Sequence, residues 1–215
     1  MSSEKTDYEF YAQIGIVLVL AVILIYNIGS SSPSSLAATT GLVSASSIMP
    51  TGVPAIYGNE LVITYDDVSA NNPKKTEETI TLLGNIDRVE TLTGSNLERY
   101  IDILYNQYGG ISCEYCCGAR AIIFENGEMA CGCAHSYAMR GLTKYLIKYH
   151  GDEMTDNEIL TEAAKWKVLF FPGIMQGKAD IMKSYGIETS YINLSTNAYR
   201  GIEQDTVSGG MIGAC

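Results

Sequence analysis

Positive charge is scarce in this 215-residue chain: Lys and Arg total 14 against 24 Asp and Glu, for a formal net charge of −10. Phosphate backbones are bound by clustered basic residues, so the balance argues against a general nucleic-acid binder and no nucleic-acid partner is expected. Charged residues of both signs make up only 18%, while apolar residues reach 47%. That apolar content can support a core and argues against disorder throughout. The chain also lacks a nucleophile elbow, a P-loop and a dinucleotide fingerprint. Its acidic pairs, Asp66-Asp67 and Asp152-Glu153, do not have the ligand pattern of a calcium loop. No internal repeat is visible. What stands out against these absences is cysteine: of six, five fall between Cys113 and Cys133, and the sixth is Cys215.

The segment Tyr11 to Ile28, YAQIGIVLVLAVILIYNI, carries no charge and is almost solidly aliphatic from Ile14 to Ile25. A bilayer core takes about 20 apolar residues as a helix, and Tyr11 and Tyr26 sit where amphipathic rings favour the lipid–water interface. Neither a strongly basic start nor a clean A-x-A site accompanies it, so a transmembrane anchor is expected over 11–28 rather than a cleaved signal. Lys5 lies before the span and the next basic residue after it is Lys74. The positive-inside bias therefore places a flank, 1–10, in the cytoplasm and everything later outside it. Residues 29–54 are rich in Ser, Thr and Ala and read as a stalk. The remaining 55–215 is long enough for one domain. The expected location is the cell membrane, single-pass, with the C-terminal domain extracytoplasmic.

Within that domain, Leu61 to Tyr65 (LVITY) reads as a short strand. Pro73 opens a helix that Gly84 is expected to stop. Ser95, with Glu98 three residues on, caps a helix to about Tyr108. Residues 121–133 form two short apolar runs around Asn126-Gly127, a strong hairpin signal. A helix follows from about Ala134 to Tyr149, with Ala138, Leu142, Tyr145, Leu146 and Tyr149 as its inner face. His150, at its end, is expected to be solvated. Thr155 and Glu158 form a capping box for a helix to about Phe170. Pro172 then interrupts, and a last helix runs from about Ile174 to Tyr185.

The cysteines are arranged as C-x2-C-C, thirteen residues, then C-x-C-x-H: Cys113, Cys116, Cys117, Cys131, Cys133 and His135. Thiolates and imidazole suit zinc, copper(I) and iron–sulfur clusters. Cysteines three apart on a tight turn point at one ion, and a hairpin returns a second pair at a helix start. That order of supply is treble-clef-like, so all six residues are candidate metal ligands. Six candidates exceed one four-coordinate ion, and surplus thiols suit copper(I) or a cluster of more than one metal. Structural disulfides and thiol redox chemistry are the rival readings. Glu114, Arg120 and Arg140 read as exposed or surface-paired neighbours, and Met139 as core.

The run CEYCCGARAIIFENGEMACGCAHSYAMRGLTKYL, with TDNEIL and KWKVLFFPG, resembles a group of archaeal membrane-anchored cysteine-cluster proteins without an assigned activity. It is more distantly similar to bacterial lipoproteins with a PCYCGC motif, though here the first cluster is CEYCCG. The resemblance implies a cysteine/histidine site outside the cytoplasm and supplies no reaction. The expectation from the sequence is thus an anchored α+β protein, mostly helical, with a hairpin-plus-helix cluster holding zinc structurally or copper(I) for handling. A catalytic role is not expected from any residue pattern in it.

Overall fold

A computed structural model describes residues 48–204 and 211–213. The expected flank and span, most of the stalk, and Cys215 lie outside them. Among the described residues no helix is long and apolar enough to cross a membrane. The helices are α1 (Gly58–Leu61), α2 (Pro73–Val89), α3 (Gly94–Ile101), α4 (Ala134–His150), α5 (Asp156–Phe170), α6 (Pro172–Ser184) and α7 (Tyr191–Ser195).

The expected α+β class is overturned. No strand occurs among the described residues, only two isolated bridges, Ile111 with Thr196 and Ile123 with Met129. At LVITY, α1 ends on Leu61 and Val62 turns left-handed at φ 55°. Thr64 then caps a 3-10 turn, its hydroxyl accepting from Asp66 N–H while Asp67 accepts from Thr64 N–H. Such local bonds compete with strand pairing. Around Asn126 the chain does reverse, with Phe124 N–H donating to Glu128 O at 2.8 Å and Ala130 N–H to Ile122 O at 3.1 Å. Gly127 takes φ 84° but Asn126 keeps a negative φ, so the tight type I′ hairpin turn is not made. Arg140 Nη1 draws in the Ile122 and Cys131 carbonyls at 3.1 and 2.7 Å, and Ile122 N–H is taken by Ile111 O. The expected treble-clef-like arrangement is therefore replaced by two loops and a helix start.

Helix α2 begins as its sequence suggests, with Pro73 in the first turn and Asn72 accepting from Lys75 N–H. It does not stop at Gly84. A Cβ at Gly84 would sit 3.3 Å from Tyr137 Cβ on α4, and one at Gly141 of α4 would sit 1.9 Å from the Leu83 carbonyl oxygen. These glycines are notches where α2 and α4 press together, and the pair makes the most extensive helix contact. Each glycine costs a helix roughly 0.5–1 kcal/mol against alanine, which the close packing offsets.

Helix α3 starts at Gly94, with Thr93 rather than Ser95 at the N-cap position and no side-chain cap bond, and ends at Ile101, where the chain widens into a π turn over Asp102–Asn106. Tyr108, Gly109 and Gly110 then take φ of 52°, 78° and 96°, sending the chain inward to Ile111–Cys113. On α4, Ala138, Leu142 and Leu146 are buried as expected, while Tyr149 is exposed. His150 is buried rather than solvated, with Nε2 2.9 Å from Glu60 and Nδ1 3.6 Å from Glu153. The capping box at Thr155 opens α5 as expected. Phe171 both ends α5 and leads into Pro172, so α6 starts at once. Trp166, Phe170, Phe171, Leu83, Ile103, Leu104 and Met139 fill the core between these helices.

Candidate metal site

Two loops and one helix start bring the sulfurs together. The first loop, Cys113–Gly118, is a turn closed by Cys116 N–H and Cys117 N–H on the Cys113 carbonyl at 3.1 and 3.4 Å. The second, ending at Cys133, is held from beneath by Arg140, which is fully buried and pairs with Asp87 at 2.8 Å. Cys133 is the N-cap of α4, its sulfur accepting from Ser136 N–H at 3.4 Å. Arg140 therefore fixes the backbone carrying Cys131, and the helix end fixes Cys133.

The ligand atoms of Cys113, Cys116 and Cys133 all lie within 4.8 Å of one another. Cys133 Sγ is 3.5 Å from Cys113 Sγ and 3.6 Å from Cys131 Sγ. Sulfurs around one ion at about 2.3 Å are separated by about 3.8 Å in a tetrahedron, so the triad is close to ligand spacing. A disulfide needs about 2.05 Å, and Cys113, Cys117, Cys131 and Cys133 are free thiols. Cys113, Cys131 and Cys133 are buried, while Cys116 and Cys117 are exposed. This cysteine cluster can hold a metal ion.

The thiols are not equivalent. The Cys133 thiol is held far below its ordinary range, first by its bond with Cys113, then by His135, Ser136 and the helix-end N–H. A helix N-terminus favours a thiolate in the same way. Cys113, hydrogen-bonded to Cys133 and buried, is pushed well up. Burial, and next the hydrogen bond with Cys117, push Cys131 up. Cys133 is thus the sulfur readiest to lose its proton, and each ligand that binds a metal must release one.

His135 is within the site but outside the triad. Its Nε2 is 2.7 Å from the Ile212 carbonyl, so the proton there is donated to that oxygen. Its ring packs on Phe170 and Phe171 with centroids 4.6 and 5.2 Å apart, and it hydrogen-bonds Cys133. It orients a ligand sulfur, as outer partners do in metal sites.

The underside of the first loop is ionic. Glu114, read from the sequence as an exposed turn residue, has a side chain only 6% accessible. Lys167 Nζ is 3.3 Å and Lys178 Nζ 3.6 Å from its Oε1, and Arg200 Nε is 3.4 Å from its Oε2. Both lysines have fully inaccessible side chains. Lys167 also donates to Ser195 O at 2.7 Å, and Tyr115 O–H to Glu203 at 2.6 Å. Burial raises the Glu114 carboxyl, but Lys167 and Lys178 outweigh it and hold the group below its usual range. Burial lowers Lys167 to about 8 despite Glu114. Arg200 further clamps the loop through the carbonyls of Ala119 and Gly118, both at 3.0 Å.

The structure thus gathers Cys113, Cys116 and Cys133 within one ion's reach. Cys131 lies beside Cys133 and His135 behind it, while Cys117 stays on the first loop with its sulfur 3.9 Å from the Cys113 carbonyl. Of the neighbours, Met139 is core and Arg120 stays exposed over the Tyr105 ring, but Arg140 is buried and structural. Lys167, Lys178, Glu203 and Ser136 were not singled out from the sequence. A signal existed for the first: Lys167 interrupts the apolar run Trp166-Lys-Val-Leu-Phe-Phe171, where a charge has to be buried and paired. Comparison of the chain with protein-family models, with curated proteins and with solved structures found no match.

Proposed function

We propose that this chain is a membrane-tethered metal-binding protein, its domain outside the cytoplasm, in which Cys113, Cys116 and Cys133 hold a soft ion, copper(I) before zinc. The observation that carries the reading is the sulfur triad within 4.8 Å. Copper(I) is favoured because thiolate sets select it and, among the described residues, the triad has no fourth donor within the same reach of all three. Structural zinc almost always takes four ligands. Zinc is the second reading because Cys131, 3.6 Å from Cys133, offers a fourth thiolate. Thiol redox chemistry fits less well: a reactive cysteine is accessible as well as low in pKa, and the low one here, Cys133, is buried. The tether and location are supported by the uncharged run 11–28 and the placement of Lys5.

The test is metal analysis of the anaerobically purified full chain, with intact mass before and after thiol alkylation. Stoichiometric metal with thiols that become alkylatable after its removal supports the reading. Absence of metal with blocked thiols overturns it. Protease added to intact cells tests the location: the domain is cleaved if it lies outside and protected if it lies within.

A further inference from the structure

We propose that the cleft between α2, α3, α4 and the loop at Gly127–Met129 binds a small aromatic carboxylate. The cleft holds about 580 Å³, and its walls carry Arg88, Tyr100, Met129, Tyr137, Arg140 and Lys144. That volume lies within the range of small-molecule sites, roughly 300–1,000 Å³. No cysteine lines the cleft, so the site is independent of the metal reading.

The cleft holds more hydrogen-bond donors than the fold uses. Tyr100 is only 1% exposed, and its hydroxyl has no hydrogen-bond partner among the described residues. Buried hydroxyls are normally paired, so this one calls for an acceptor that the fold does not supply. Burial raises the Tyr100 phenol well above its ordinary range, which keeps it an O–H donor. The Arg140 side chain is equally buried. Its Nε is spent on Asp87 at 2.8 Å and its Nη1 on the Ile122 and Cys131 carbonyls. Its Nη2 has only the Met129 thioether at 3.9 Å, a weak acceptor. Lys144 Nζ gives two of its three N–H groups to Asp87, one to the carboxylate and one to the backbone carbonyl, each at 2.8 Å.

Charge and shape then select the ligand. Arg88, Arg140 and Lys144 face two acids, Asp87 and Glu128, and Asp87 is already paired with Arg140 and Lys144. The cleft is thus locally positive in a chain of net charge −10. Guanidinium groups bind carboxylates through parallel N–H donors. The Arg88 and Arg140 guanidinium carbons lie 4.8 and 4.5 Å from the Tyr137 ring centroid. The Tyr137 ring and the Met129 thioether give an aromatic body a surface to lie against. Arg88 is exposed, bonded to Asn85 at 2.8 Å, and its other N–H groups can turn to the anion.

The experiment adds benzoate to the reduced full chain in detergent, with benzamide as its uncharged counterpart and inorganic phosphate as a bare oxyanion. Binding is read by saturation-transfer NMR and calorimetry. Benzoate is expected to bind, with benzamide and phosphate weaker by about tenfold or more. Tyr100→Phe keeps the ring and removes an unpaired hydroxyl, so stability in urea should be unchanged or higher while benzoate affinity falls by roughly tenfold. Arg88→Gln should weaken benzoate as well. No binding of benzoate, or equal binding of benzoate and benzamide, overturns the carboxylate site. Phosphate binding as tightly as benzoate overturns the aromatic class. Unchanged benzoate affinity in both variants overturns the placement in this cleft. A clear loss of stability in Tyr100→Phe would show that the hydroxyl is already used by the fold and overturn its part in the site.

Discussion

Cys113 and Glu114 are neighbours in the chain, yet their side chains end in opposite surroundings. Cys113 joins a group of sulfurs whose partners are other sulfurs, one histidine and a helix end. Glu114 turns the other way, into two inaccessible lysines and Arg200. The ionic face is paired by charge: its carboxylate and its cations are within 3.3–3.6 Å, Tyr115 adds a bond to Glu203, and Lys178 Nζ is held by charge without a hydrogen bond. The sulfur face is held by weaker bonds, because thiols are weak hydrogen-bonding groups, and three of them converge where an ion fits. Replacing a buried ion pair with apolar groups is often neutral for stability, so the ionic face contributes chiefly position: it sets where Cys113, Cys116 and Cys117 stand.

If the faces have these separate roles, substitutions should separate them. The largest effect is expected from Cys133→Ser, which removes the central thiolate. Metal affinity should fall by more than the roughly 10–100-fold typical of outer partners, while circular dichroism shows the helices intact. Retained affinity in the competition titration would mean the triad is not the seat. Next is Glu114→Ala. It leaves buried Lys167 without a carboxylate and Lys178 with Glu203 alone, 3.7 Å away, and should cost about 3–5 kcal/mol in chemical denaturation of the metal-free chain. A loss under about 1 kcal/mol would show that the ionic face does not hold the loop.

A smaller effect should follow His135→Gln, which keeps a polar side chain behind Cys133 but removes the ring. Metal affinity should drop by roughly 10–100-fold without a change in stoichiometry; a change in the number of ions bound would instead make His135 a ligand. The smallest is a pH effect. Lys167 titrates at about 8 when folded, against an ordinary 10.5. Between those values the unfolded chain binds the extra proton, so stability from this group rises with pH through that window and its burial penalty is full below it. Relative to Lys167→Met, the native chain should gain stability from pH 8 to 10.5, measured by denaturation at matched pH. An unchanged difference would mean that lysine keeps its proton in the fold.

The elements legible in the sequence were those governed by local signals. Pro73 after Asn72, the Thr155 capping box and the break at Pro172 each act within one helical turn, and each stands where its spacing suggests. The cysteine spacing likewise pointed to sulfurs meeting, and three do. Features decided by distant partners were misread. Gly84 looked like a stop, but its meaning is set by Tyr137 on another helix. Asn126-Gly127 does reverse the chain, but the pairing stops at one antiparallel bridge, and Arg140 ties the Ile122 and Cys131 carbonyls to its own helix. Glu114 looked exposed because its lysines lie more than fifty residues away in the chain.

Cys116 offers the most direct test, being the member of the triad that is exposed. The full chain, reduced under argon, would be treated with iodoacetamide with and without bound copper(I), and each cysteine's labelling followed by peptide mass spectrometry. The account predicts rapid labelling of Cys116 in the metal-free protein and strong protection of it once copper is bound. Equal labelling of Cys116 in both states would contradict the placement of the ion among Cys113, Cys116 and Cys133.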